Sequence, residues 1–151
     1  MKKVNILWFR QDLRLTDNPA LVAACRDNNL LPIYIHDTTL TSNDKTGEAS
    51  NVWLHHSLSA LNESLSGHLH FFEGNPLEVL TELCNDLPIG KIIWGRCYEP
   101  YAIKRDKHIK STLKDLGYTV ESFNNSLLWE PWQVLKKDAT PYKVFTPFYR
   151  K

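Results

Sequence analysis

Short apolar runs alternate with amphipathic segments from Val4 to Phe123, and this alternation constrains the fold more than any other feature. Val4–Phe9, Leu30–His36, His68–Phe72, Lys91–Trp94 and Tyr118–Phe123 read as strands. Their near-continuous apolar character suits strands covered on both faces. Helical patterns separate them, as parallel neighbours joined by crossovers require. The sequence therefore predicts a three-layer α/β/α sandwich around a five-stranded parallel sheet. Trp8 and Trp94 fall in central strands and are expected in the core.

The helix starts are written locally. Asn18-Pro19 and Asn75-Pro76 each pair a capping residue with a first-turn proline. Leu54, Leu58, Leu61 and Leu65 mark a helix that ends near Gly67. Leu77, Leu80, Leu83 and Leu87 give the next helix its inward face, and Ala102, Ile109, Leu113 and Leu116 the one opened by Pro100. Cys25 and Cys84 sit at apolar helix positions and are expected in the core. Trp53, at a helix start, is core or pocket wall. Asn124–Lys151 has little periodicity and many turn formers, so it is expected to wrap over the domain surface.

With 151 residues and 42% hydrophobic content, the chain suffices for one well-buried core. Three cysteines without a CxxC pair suggest no disulfide framework. The net charge of +1 leaves no broad nucleic-acid footprint. No apolar run approaches the roughly 20 residues of a membrane span. Arg10, Asp12 and Arg14 break the first apolar run too early for a secretory signal. A cytoplasmic protein that does not engage membranes is expected. The histidines at 55, 56, 68 and 70 lack a further ligand at useful spacing, so no metal site is expected.

Right-handed crossovers leave few topologies, and we expect the strand order 3-2-1-4-5. An open parallel sheet binds ligands beyond the carboxyl ends of its strands, where the order switches. That switch lies between strands one and four. Arg10 stands at the end of strand one. Arg96, Cys97, Tyr98 and Glu99 follow strand four, and Asp37 begins the long loop after strand two. These six residues form the candidate pocket, whose charges and ring suit a planar heteroaromatic ligand. Arg14 and Asp17 read as a structural network, whereas Glu99 reads equally as a helix cap or a ligand contact. Neither G-x-G-x-x-G nor G-x-x-x-x-G-K-[ST] occurs, so their phosphate cradles are not encoded.

The stretch Leu7–Leu21, LWFRQDLRLTDNPAL, closely resembles the opening of the DNA photolyase/cryptochrome family. Leu127–Trp132 and Pro141–Phe148 resemble the segment that closes the N-terminal α/β domain of that family. Between them, Tyr98-Glu99-Pro100-Tyr101 and Arg105-Asp106 also match its pattern. The resemblance implies a Rossmann-like domain over 1–124, with the same strand order, and a closing segment over 125–151. It also implies a linker and helical FAD domain beyond Lys151.

In such proteins the N-terminal domain holds an antenna chromophore, a reduced folate or a deazaflavin, which passes excitation to FAD. The parent implied by the resemblance is a deoxyribodipyrimidine photolyase acting on UV-damaged DNA, its helical FAD domain packed on the closing segment. No catalytic residue is carried over to this chain, which alone is expected to be inactive. Members with the best-known bacterial folate mode place Asn-Glu where this chain has Tyr101 and Ala102. The antenna identity stays open at this point, and so does an empty pocket. Many relatives have glycine at the position of Ala139. A cryptochrome photoreceptor and a free-standing nucleotide- or pterin-binding module are the alternative readings.

Overall fold

A computed structural model describes residues 2–26, 29–41 and 43–150. The outer limits of the two expected units, Met1 and Lys151, lie outside the described residues. The elements run β1 (Val4–Phe9), α1 (Pro19–Ala24), β2 (Asn29–Asp37), α2 (Glu48–Ser64), β3 (His70–Gly74), α3 (Pro76–Asp86), β4 (Ile89–Gly95), α4 (Pro100–Asp115) and β5 (Thr119–Phe123). A 3-10 turn at Pro131–Gln133 and a short helix α5 (Phe145–Tyr149) follow. All pairings in the five-stranded sheet are parallel, in the order β3-β2-β1-β4-β5. This is the predicted Rossmann-like architecture.

β1 is the central strand and its alternation builds two cores. Ile6 and Trp8 face one side, with Leu80, Ile92, Ile109 and Leu113. Leu7 and Phe9 face the other, with Ala20, Ala24, Leu61 and Ile93. Each large side chain buried in this way contributes about 1.5–3 kcal/mol. Trp8 and Trp94 occupy paired positions on adjacent strands. Their rings therefore meet edge to face, with centroids 5.7 Å apart. Pro32 is tolerated in β2 because β3 pairs with that strand only from Ile33 onward.

The two Asn-Pro starts behave as read. The Asn18 side chain accepts from the Leu21 N–H, and that of Asn75 from the Leu77 N–H. Several local expectations are corrected. Cys25 is exposed because α1 ends at Ala24 and Cys25 is its C-cap. Leu116 is 56% exposed. It caps α4 just before Gly117, which takes a φ of 90° and turns the chain away from the helix. Val79 and Cys84 join Leu80 on the buried face of α3, while Leu77, Leu83 and Leu87 are only partly buried. His68 precedes β3 and lies in the turn after α2, its Nδ1 2.9 Å from the Leu65 carbonyl. The helix α5 was not anticipated. Ala139 holds a φ of 60°, the left-handed conformation that glycine adopts without strain.

Candidate functional site

A cleft of about 660 Å3 opens over the carboxyl ends of β1, β2 and β4. Trp8 comes from β1 and Arg10 directly follows it, Tyr34 and Asp37 come from β2, and Cys97 from the residues after β4. Tyr101 and Arg105 enter from α4, and Trp53 and Leu54 from α2. Trp53 is 76% exposed and is a pocket wall, not core.

A line of alternating charges forms the floor. Arg10 Nη1 pairs with Asp106 Oδ2 at 2.5 Å, and Arg10 Nη2 donates to the Gly95 carbonyl. Asp106 Oδ1 accepts from Arg105 Nε and Nη2, each at 3.1 Å. Arg105 Nη1 reaches Asp37 Oδ2 at 3.1 Å. The two guanidinium groups stand 4.9 and 5.3 Å from the centre of the Trp8 ring, so the indole packs against both cations. Burial opposes the charge on Arg105, but Asp106 and Asp37 outweigh it and push its pKa up. The Oδ1 of Asp37 accepts from the backbone and hydroxyl of Thr39, which ties the long loop to the end of β2.

Burial raises the Cys97 thiol, with Arg10 working in the opposite direction. It is therefore a neutral wall group and not a poised nucleophile. Burial also raises the Tyr34 and Tyr101 hydroxyls, the latter with help from Glu99. Among the described residues, no group of three or more His, Cys, Asp or Glu is arranged to hold a metal ion.

Arg10, Asp37 and Cys97 thus come together at one cleft. Arg96 and Tyr98 turn toward the closing segment instead. Arg96 Nη1 pairs with Glu130 Oε1 at 2.5 Å, and the Tyr98 hydroxyl donates to the same oxygen at 2.8 Å. Arg96 also donates to the Ser122 carbonyl at 2.7 Å. Burial and the Glu130 carboxylate push the Tyr98 hydroxyl up to about 12. Glu99 occupies the N-cap position of α4, but its side chain makes no capping bond. It accepts from Gln11 Nε2 at 2.6 Å, and Gln11 lines the cleft. Glu99 Oε2 is buried without a partner. Burial resists ionisation of Glu99, but Gln11, nearby backbone N–H groups and Arg10 prevail and hold its pKa below the usual value.

Arg14 and Asp17 are structural contacts. Arg14 Nη2 donates to the Asp17 carbonyl at 2.9 Å and to the Asn125 carbonyl. Sequence reasoning assigned no role to Arg105, Asp106 or Asn125. Tyr101 and Arg105 stand at i and i+4, so the helix period alone would have placed them on one face. Asn125 carries no such signal. It is buried and donates to Asp12 at 2.5 Å and to Asn18 at 2.7 Å, locking the first loop and the α1 cap to the start of the closing segment.

A family model described as DNA photolyase matches residues 5–151. A deoxyribodipyrimidine photo-lyase from Agrobacterium fabrum (strain C58) is 41% identical over 149 residues, covering 96% of this chain and 30% of that protein. Cryptochrome-2 of Arabidopsis thaliana is 31% identical over 155 residues, covering 100% of this chain and 25% of its own length. The solved structure of a bacterial class III photolyase from Agrobacterium tumefaciens is similar with a TM-score of 0.89 at 38% identity, covering 99% of this chain and 31% of that one. The chain spans less than a third of each of these relatives.

Proposed function

The chain belongs to the DNA photolyase family, and we propose that it is the light-harvesting cofactor domain of a deoxyribodipyrimidine photo-lyase. The observation that carries this reading is the cleft at the sheet's switch point, walled by aromatic rings and floored by paired charges. Its volume of about 660 Å3 is in the range of small-molecule and cofactor sites.

The ligand class is a fused heteroaromatic chromophore, a reduced folate or a deazaflavin. The residues fit such a group. Tyr34, Trp53 and Tyr101 offer ring faces, while Arg10, Asp37 and Arg105 form a rigid polar floor beneath them. Trp8 Nε1 and Arg10 Nε are buried donors without partners at the same end of the cleft. Cys97 supplies a neutral side wall. Glu99 serves this pocket indirectly by holding Gln11, whereas Arg96 and Tyr98 anchor Glu130 outside it. When bound, the chromophore absorbs light and passes excitation to FAD. The protein's part is to bind and orient it and to exclude water.

The whole protein would use blue light and reduced FAD to split UV-induced pyrimidine dimers in DNA. Its helical FAD domain would pack on the closing segment, where Val144, Phe145 and Tyr149 are exposed. A cytoplasmic location suits this role, and no helix among the described residues is long and apolar enough to cross a membrane.

Titration of the 151-residue chain with a reduced folate and with a 5-deazaflavin, followed by absorption and calorimetry, tests the cleft. One of them should bind, and Tyr101→Ala should weaken it at least about tenfold, as loss of about 1.4 kcal/mol would. Failure of both to bind would remove the antenna reading. The identity to cryptochrome-2 keeps a photoreceptor as the second reading. Full-length protein illuminated with dimer-containing DNA separates the two. Loss of dimers is expected, and a photoreducible flavin without repair would favour the cryptochrome.

A further inference from the structure

A second cleft lies on the β5 side of α4, with Trp94, Ile103, Lys107, Lys110 and Trp132 among its lining. It measures about 250 Å3 and its lining is mostly apolar. Trp132 is 56% exposed. Its ring stands 6.3 Å from that of Tyr98 and 5.9 Å from the Arg96 guanidinium. The slot therefore offers an aromatic platform held in place on its inner side.

Its rim is cationic. Lys107, Lys110 and Lys114 follow the i, i+3, i+7 spacing and share one helix face, about 10 Å long at 1.5 Å per residue. Among the described residues Lys107 and Lys114 make no ion pair, and Lys110 donates only to Ser122 Oγ, at 3.1 Å. The nearby carboxylates are already engaged, Asp106 in the slot's own lining by Arg10 at 2.5 Å and Arg105 at 3.1 Å, Glu121 by Lys91 at 3.0 Å and Glu130 by Arg96 at 2.5 Å. Burial, then Lys114 and Arg96, depress the Lys110 pKa against the pull of Glu121. Crowded, uncompensated cations favour an anion. With a net charge of only +1 over the chain, this excess is local.

We propose that this cleft binds a nucleotide unit, its base stacked on Trp132 and its phosphate held by Lys107 and Lys110. An apolar slot beside a row of cations matches the two halves of that ligand, a planar ring and an anionic group. A free mononucleotide and an unpaired nucleic-acid strand both present this chemistry. Lys114 continues the row past the slot, as a strand's next phosphate would use. Among the described residues the slot shares only Cys97 with the lining of the chromophore cleft, and its assignment does not depend on that cleft's.

The test is tryptophan fluorescence and anisotropy of the 151-residue chain with thymidine monophosphate, an eight-residue oligothymidylate and an abasic strand of equal length. The oligothymidylate should bind and quench, and Trp132→Phe identifies the quenched ring. With three phosphates neutralised, affinity should fall about 20-fold from 50 to 200 mM salt, from a slope of about −0.7 per contact for single strands. The pair Lys107→Ala and Lys110→Ala should weaken binding at least about tenfold and flatten that slope. Trp132→Ala should cost about tenfold, and the abasic strand should bind weakly to every form. Monophosphate binding as tight as the oligomer's assigns the site to free nucleotides. Absence of saturable binding by either ligand, or affinity unchanged in the double lysine variant, overturns the proposal. An unaltered thermal transition in these surface variants confirms that they fold.

Discussion

Arg10 and Asp106 lie 96 residues apart in the chain and meet at 2.5 Å across the junction of β1 and α4. Their side chains are 6% and 13% exposed, so the pair sits away from water and is shared with Arg105. Truncating one partner of a buried pair leaves the other charge uncompensated, which costs about 3–5 kcal/mol. Asp106→Ala should therefore destabilise the chain by about that amount in urea denaturation. A loss below about 1 kcal/mol would mean that solvent reaches the cluster and screens it.

Gly95 ends β4 where three elements converge. A Cβ there would collide with the Asp12 carboxylate and stand 2.8 Å from Asn125 Nδ2. Both neighbours are buried and bonded to each other. They have no room to retreat, so Gly95→Ala should cost about 1–3 kcal/mol from overpacking. A thermal melt that leaves the variant at the wild-type Tm would show that the Asp12–Asn125 contact yields easily.

Glu99 should make part of the stability pH-dependent. Its pKa in the fold lies below the ordinary 4.5, because Gln11, the backbone and Arg10 overcome the effect of burial. Ionised Glu99 therefore stabilises the fold fully above pH 4.5. That contribution drains away as pH falls below 4.5 and through the folded value. Glu99→Gln lacks it. The Tm gap between wild type and variant should be widest near about pH 6 and narrow toward about pH 3. A gap that stays constant across this range would rule out the carboxylate as its source.

The end of the chain should matter less to this core than the start of the closing segment. Phe145 stacks on Tyr149 at 5.5 Å and Tyr142 meets Phe148 at 6.1 Å, so these rings pack mainly on one another. Ending the chain after Pro141 should cost no more than about 1 kcal/mol, in the range of surface changes. Glu130→Ala should cost more, about 1.5–3 kcal/mol, because it leaves the Arg96 guanidinium and the Tyr98 hydroxyl without their shared acceptor. Thermal denaturation of both forms decides, and the reverse order would show that the α5 region completes the core.

Local chemistry made much of this protein legible in its sequence. Apolar runs of strand length, helical periods and the Asn18-Pro19 and Asn75-Pro76 starts act over a few residues, so they can be read without knowing the fold. The strand-end rule then picked out Arg10, Asp37 and Cys97, which do share a cleft. The same rule included Arg96 and Tyr98, and here it reached its limit. Their side chains leave β4 toward Glu130, more than thirty residues away, and only the return path of the closing segment decides that meeting. Arg105 could have been placed beside Tyr101 by helical spacing, but its bonds to Asp37 and Asp106 depend on how α4 lies against β2. Cys25 and Leu116 had core-like positions and became exposed, because a helix period predicts a face only while the helix continues. The sequence determined the elements, their order and the end of the sheet where the cleft opens. Tertiary structure decided which charges pair, because ion pairs and buried hydrogen bonds join residues by distance in space, and local periodicity carries no measure of that distance.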